Sequence, residues 1–363
     1  MSNHARLRGA SLAGGLALIA ASVGACGSSS TASTTGTNVT SKGTNPPVQT
    51  LNVGQISKSV AFFPVYVAQK EGYFSAEHLT VPNPPLLGTG AKVAAALVGG
   101  SIDVGAGVMT DAFNLANAGQ SPKLIADLVN SYYVDIIVGT NFAGAPATAP
   151  VDSRIQALVG KKIGITGPGS GTQALIDYLF HLIGKDASTQ ATLVNLGSSN
   201  SAAVDALKSH EVDALAFFQP VGQLAEALHV GQIYISPTNG DVPGLAGATN
   251  GTVYTTASKA SSKKPAIEAF IRAIAEAEQY IHTTSDSALV PVLQSYDTGL
   301  STAVATSLVG VLKSEIPASP AFNQAGYQAE VKVNTAGGLV KTAPSYGSLV
   351  DTSLIQSALG SQG

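Results

Sequence analysis

The chain of 363 residues has one cysteine, Cys26, so no intramolecular disulfide is available even in an oxidising compartment. A zinc–thiolate cage is excluded on the same ground. Charged residues make up 11% of the chain and the net charge is −3, with no basic run or stripe. That is well below the usual charged share of about 25%, and it excludes a nucleic-acid partner. Past the first 25 residues no stretch is apolar and long enough to span a bilayer, and no repeat of fixed period is present. The body histidines, His78, His181, His210, His229 and His282, are scattered without metal-ligand spacing. The glycine-rich run 164–171 carries no Gly-Lys-Ser/Thr and so is not a phosphate-binding loop. Gly167-Pro168-Gly169 has Thr172 where a dinucleotide fingerprint needs its third glycine. Ser170 lacks the flanking glycines of a nucleophile elbow. No catalytic residue, metal ligand or cofactor is named on these patterns, and the expectation is a protein that is not an enzyme.

What is present begins at the N-terminus. Arg6 and Arg8 precede an apolar stretch over 10–21, and Val23-Gly24-Ala25-Cys26 follows. This pattern is that of a secretory signal, and its end resembles a bacterial lipobox. The resemblance implies that 1–25 are a signal peptide and that Cys26 is lipidated. The protein is then held at the outer face of the bacterial cytoplasmic membrane, in the cell envelope. A secreted protein with a free Cys26 is the plainer alternative. Residues 26–49 are almost all Ser, Thr, Gly and Asn, ending near Pro46-Pro47, a composition that cannot bury a core. They read as a flexible tether with a reach on the order of 25 Å.

The remaining residues, roughly 310 of them, suggest two domains by the usual size prior. Short apolar runs at 50–56, 102–105, 123–129, 162–166, 192–196 and 212–217 read as strands alternating with helices, an α/β pattern. Val93, Ala94, Leu97 and Val98 share a helical face, as do Leu175, Tyr178, Leu179 and Leu182. After about residue 253 the chain turns helical. Pro265 suits a first helical position, and Ile267, Phe270, Ile271, Ile274 and Ile281 mark one face of a long helix. Further helices are expected around 288–294 and 302–313.

Four phrases in register carry a resemblance. They are Phe63-Pro64-Val65-Tyr66-Val67-Ala68-Gln69-Lys70-Glu71-Gly72-Tyr73-Phe74; Gly88-Thr89-Gly90 with the helix ending before Ser101-Ile102-Asp103-Val104; Ile155-Gln156-Ala157-Leu158-Val159-Gly160-Lys161-Lys162-Ile163-Gly164 leading to Pro168-Gly169-Ser170-Gly171-Thr172; and Ala206-Leu207-Lys208-Ser209-His210-Glu211-Val212-Asp213-Ala214 with Phe217-Phe218-Gln219-Pro220. Together they resemble the solute-binding proteins of bacterial ABC importers, in the nitrate/sulfonate/taurine and thiamine-pyrimidine (NMT1-like) branch. The resemblance implies a type II periplasmic-binding-protein fold. Two Rossmann-like lobes would be joined by two crossovers, expected near 141–147 and 241–248, with a helical C-terminal part packed on lobe one. Lobe one would be 50–142 plus 246–363, and lobe two 143–245. The implied work is capture of a small solute, sulfonate/taurine-like or thiamine-pyrimidine-like, and its delivery to a membrane ABC permease, by a monomer. A secreted enzyme or a sensor subunit on the same fold is the other reading. A fungal thiamine-pyrimidine synthase with a related fold has a cysteine-rich signature that Cys26 alone cannot supply.

Ligands of open α/β sheets bind beyond the carboxyl ends of the strands, where helix N-termini offer free N–H groups. Gly90 with its neighbour Thr89, and Gly169, Ser170, Gly171 and Thr172, lie in such loops, though Thr89 and Ser170 also suit ordinary helix caps. Lys58, Ser59, Phe62 and Phe63 follow the first body strand. Met109, Thr110, Asp111 and Tyr132 follow later strands of the same lobe, and Phe217, Phe218 and Gln219 are the equivalent in lobe two. Of each aromatic pair, one residue is expected to face the cleft and one the core. Arginine is nearly absent near these loops and tryptophan is absent altogether. Asp111 would repel an anion, accept from an amine or pyrimidine amino group, or cap its helix. These features tilt the expectation toward a neutral or amine-bearing organic ligand.

Overall fold

The structure is a computed structural model, and it describes residues 47–360. The signal segment, Cys26 and nearly all of the tether lie outside the described residues. The described residues form one compact unit.

Eleven strands are present among the described residues: β1 Gln49–Thr50, β2 Val53–Gln55, β3 Leu79–Thr80, β4 Val104–Val108, β5 Pro122–Ser131, β6 Val134–Gly139, β7 Lys162–Ile165, β8 Thr192–Asn195, β9 Ala214–Phe218, β10 Gly231–Ile235 and β11 Ala246–Thr256. They build two main sheets, ordered β2-β4-β11-β5 and β10-β6-β9-β7-β8, with a small β1-β3 pair beside them. In the first sheet β2 and β4 are parallel, with Val53 opposite Val104, and β11 runs antiparallel between β4 and β5. In the second, β7 is parallel to β8 and β9, while β6 is antiparallel to β9 and β10. The chain is thus α/β with two mixed sheets, and buried β-branched and small residues fill both faces, as expected for strands covered by helices on each side.

The chain leaves the first sheet at 132–133 and returns between β10 and β11. The first passage falls ahead of the Gly/Ala/Pro-rich segment expected to carry it. Val134-Asp135-Ile136-Ile137-Val138-Gly139 is therefore a strand of the second sheet. The segment 246–248, expected as part of the return crossover, is the start of β11.

The C-terminal helices follow their apolar stripes. Helix Lys264–Thr283 buries Ile267, Phe270, Ile271, Ile274, Ala277 and Ile281, and Phe270 stacks on Phe74 at 5.3 Å. It packs on helices Phe63–Lys70 and Thr352–Leu359 beside the first sheet. Helix Gln324–Ala336 lies across β11 and also touches helix Gly171–Leu182, which follows β7 of the second sheet. Its approach to β11 needs a glycine: a Cβ on Gly326 would lie 2.3 Å from the Gly247 carbonyl oxygen and 2.5 Å from Thr249 Oγ1. Gly326→Ala should therefore cost about 1–3 kcal/mol as an overpacking change. The expected readout is a lower denaturant midpoint with an unchanged slope in urea unfolding; an unchanged midpoint would show that the helix can retreat freely.

Candidate functional site

The parallel strands of both sheets end at one place. A cavity of about 260 Å³ lies there. The first sheet supplies Gly88, Thr89 and Gly90, then Asp111 and Asn114 after β4. The second supplies the loop Thr166–Thr172 after β7, Asn195 at the end of β8 and Phe218 at the end of β9. No Lys, Arg or His is among the described residues bordering it.

Each wall is built by local rules. The loop before Gly90 is stapled to the end of β2 by Leu87 N–H to the Gln55 carbonyl and Gly88 N–H to the Ile56 carbonyl, both 2.8 Å. Gly88 has φ +86°, a left-handed conformation glycine adopts without cost. Thr89 then caps helix Gly90–Val98, its hydroxyl accepting the Lys92 N–H. In the second sheet, Ser170 caps helix Gly171–Leu182 by accepting the Gln173 N–H. Thr172 Oγ1 accepts the Thr166 N–H at 3.0 Å and lies 3.0 Å from Thr166 Oγ1 and 2.7 Å from Ser170 Oγ. Three hydroxyls thus close the 166–172 loop on itself. Two bonds tie it to the facing side: Asn114 Nδ2 donates to the Gly169 carbonyl at 2.9 Å, and the Tyr132 hydroxyl donates to the Gly171 carbonyl at 2.6 Å.

Asp111 is the one carboxylate on the cavity wall among the described residues. Its Oδ2 accepts the Val108 N–H at 2.9 Å, capping its own helix Met109–Asn117. Burial pushes its pKa up to about 7, against the lowering effect of that hydrogen bond. A Cβ on Gly90 would sit 1.7 Å from Asp111 Oδ1, and one on Gly107 2.6 Å from Oδ2. Two glycines therefore hold open the space the carboxylate fills. Tyr254 packs beside it, and burial raises the pKa of its hydroxyl and that of Tyr133.

Of the residues singled out in the sequence, Thr89, Gly90, Asp111 and the run Gly169, Ser170, Gly171 and Thr172 border this cavity, as do Phe62 and Phe218. Others do not. Phe63 and Phe217 are buried, Phe63 against Tyr66 and Tyr296. Met109 and Thr110 are buried and do not border it. Tyr132 is buried under Gly171, and Tyr133 borders the cavity instead. Ser59 and Gln219 meet beneath it: the Ser59 hydroxyl donates to the Gln219 carbonyl at 3.4 Å, and Gln219 Nε2 donates to Glu315 at 3.1 Å. Lys58 is exposed and lines an adjoining recess of about 630 Å³ with Leu86, Ser199, Leu228 and Asp297. The two spaces share Ile56, Ser57 and Gly88. Sequence reasoning passed over Asn114, Thr166, Asn195 and Asn250. Thr166 was findable as the polar residue closing the apolar run 162–166, and Asn195 as the polar residue one before the end of 192–196; Asn250 sits in a strand that reads as a loop.

Replacing Ser170 and Thr172 together by alanine removes a cap, about 0.5–2 kcal/mol, and orphans the Thr166 N–H, about 1–3 kcal/mol. The body should stay folded with a lower melting temperature, and solute affinity in calorimetry should fall tenfold or more. Unchanged affinity would remove this loop from the site.

No curated protein matches the chain. The family model described as "NMT1-like family" matches residues 44–291. Among solved structures, a Bordetella bronchiseptica RB50 protein is similar at 21% identity and TM-score 0.73, covering 85% of this chain and 96% of that one. The ligand-binding component of an ABC-type import system from Staphylococcus aureus, solved with zinc bound, is similar at 15% identity and TM-score 0.67, covering 85% and 99%. The alkanesulfonate-binding protein SsuA from Xanthomonas axonopodis pv. citri, bound to MOPS, follows at 18% identity and TM-score 0.66, covering 87% and 99%. At these identities the likeness is one of fold, that of the periplasmic solute-binding proteins.

Proposed function

The chain belongs to the NMT1-like family, and from that membership we propose that it is the substrate-binding protein of an ABC importer. It captures a small organic solute between its lobes and hands it to a membrane permease. The observation that carries this reading is the single cavity edge shared by two sheets, where loops from both sides meet the same enclosed space. A solute touching both sides favours the closed form by its differential contacts. The site residues of this reading are those on the cavity wall, with Asp111, Ser170, Thr172 and Phe218 as its principal contacts.

The reading is of binding without catalysis. The described cavity wall offers no histidine, lysine or cysteine to activate a nucleophile, and the Ser170 hydroxyl is engaged with Thr172. The solute is of the sulfonate/taurine or thiamine-pyrimidine kind. Lipidation at Cys26 and a tether ending before Gln49, the first residue of β1, would hold the body, a monomer, outside the cytoplasmic membrane. No helix among the described residues is long and apolar enough to cross a membrane.

The test is a thermal-shift screen of the body from residue 46 against taurine, alkanesulfonates, nitrate, thiamine pyrimidines, polyamines and amino acids. A true solute at a hundredfold excess over Kd should stabilise by about 2.7 kcal/mol. Turnover of any panel member by the purified protein would instead support the enzyme reading.

A further inference from the structure

Helix N-termini attract anions, and two meet on the first-sheet side of the cavity, at Gly90 and at Met109. The carboxyl of Asp111 stands at both. Asp111 Oδ2 takes the Val108 N–H at the start of helix Met109–Asn117. Asp111 Oδ1 stands over Gly90, the first residue of helix Gly90–Val98, close enough to exclude any side chain there. Asn250 borders the same space fully buried; its Nδ2 donates to Glu330 at 3.0 Å, and its Oδ1 has no hydrogen-bond partner. This side of the cavity therefore presents acceptors, and no described lysine, arginine or histidine offsets them.

We infer that Asp111 is the specificity-determining residue of this site and that the solute carries a protonated amine or amidine, donated to Asp111 Oδ1, on a flat body bordered by Phe62, Tyr133 and Phe218. On the first-sheet side a solute whose only polar group is a sulfonate or nitrate would meet a like charge where it needs a donor. The inference rests on the solute-binding reading above and narrows it. Among the solutes of that reading, an amine-bearing molecule fits and a bare alkanesulfonate does not.

The test uses three phenyl probes, benzylamine, benzyl alcohol and benzenesulfonate, titrated by ligand-observed NMR into the protein and into Asp111→Asn. Asparagine keeps an oxygen for the Val108 N–H, so the helix stays capped. The protein should bind benzylamine at least tenfold more tightly than either other probe. Asp111→Asn should lose that preference, its affinity for benzylamine falling at least tenfold.

A second measurement needs no variant. The groups facing Asp111 are the neutral hydroxyls of Tyr133 and Tyr254, and Lys92 on the neighbouring helix is exposed. With Asp111 titrating at about 7, benzylamine affinity should rise with pH between 5.5 and 8, approaching tenfold per unit at the acid end. Benzyl alcohol affinity should stay flat. Preference for benzenesulfonate, an unchanged Asp111→Asn, or no binding of benzylamine overturns the inference. If the solute panel still yields a sulfonate hit, the solute-binding reading survives that failure. If the panel is also flat, the reading falls with it.

Discussion

Gly90→Ala is expected to lower the melting temperature and abolish solute binding, and adding Asp111→Ala is expected to recover part of the first, since the Val108 N–H then loses its cap, and none of the second. The added Cβ would occupy the position of Asp111 Oδ1, 1.7 Å away, with Cγ at 2.3 Å. Asp111 cannot swing aside at no cost, because its Oδ2 holds the Val108 N–H and Tyr254 closes the space beyond Gly107. Overpacking of this kind costs about 1–3 kcal/mol. Removing the carboxylate frees the space, so the two substitutions should couple strongly in a double-mutant cycle. Additive melting shifts would mean that the carboxylate has another place to go.

The second large effect is on stability against pH. Among the described residues six buried carboxyls have raised pKa values, and burial is the leading cause in each. Asp135 and Glu330 are pushed up to about 8, Glu315 and Asp111 to about 7, and Asp127 and Glu278 also lie well above the ordinary range. In the unfolded chain the same groups titrate near about 4. Between about 4 and 8 the folded protein therefore holds more protons than the unfolded one, and stability falls as pH rises through that window. Asp103 and Asp241 act in the opposite sense. Burial alone would raise them, but the Asn52 N–H with Lys263 and Lys259, and Arg154 with the Ser236 N–H, hold them low. Their contribution is lost only in stronger acid. The melting temperature should thus peak near about pH 4 and decline toward pH 9. Glu330→Gln should flatten the alkaline side of the curve, because glutamine reproduces the neutral form. A melting temperature that rises from pH 5 to 8 would contradict this picture of the core.

Much of this was legible because short-range chemistry dictated it. A strand-like run followed by Gly169-Ser170-Gly171-Thr172 and a helical face specifies a glycine turn, a serine cap and a helix start, and the chain folds so. Alternation along a strand separates Phe217 from Phe218. The same argument gave no means of choosing between Tyr132 and Tyr133, since the chain changes sheets between β5 and β6 and strand parity ends there. β11 was illegible for another reason. Ala246-Gly247-Ala248-Thr249-Asn250-Gly251 is poor in β-formers, and its strand character comes from being held between β4 and β5. Lys58 follows β2 as the cleft residues do, yet it turns to the adjoining recess, a direction set by tertiary packing alone.

The account stands on the cavity between the two sheets being where the solute sits. Ala94 is half-buried on its wall, so a tryptophan there has to occupy that space while its helix stays intact. The decisive measurement is a calorimetric titration of the strongest hit from the solute panel into the protein and into Ala94→Trp, each checked for folding by its melting curve. The account predicts one saturable site in the protein and at least a hundredfold loss in the variant at an unchanged melting temperature. Equal affinity in the two would place the solute elsewhere and contradict it.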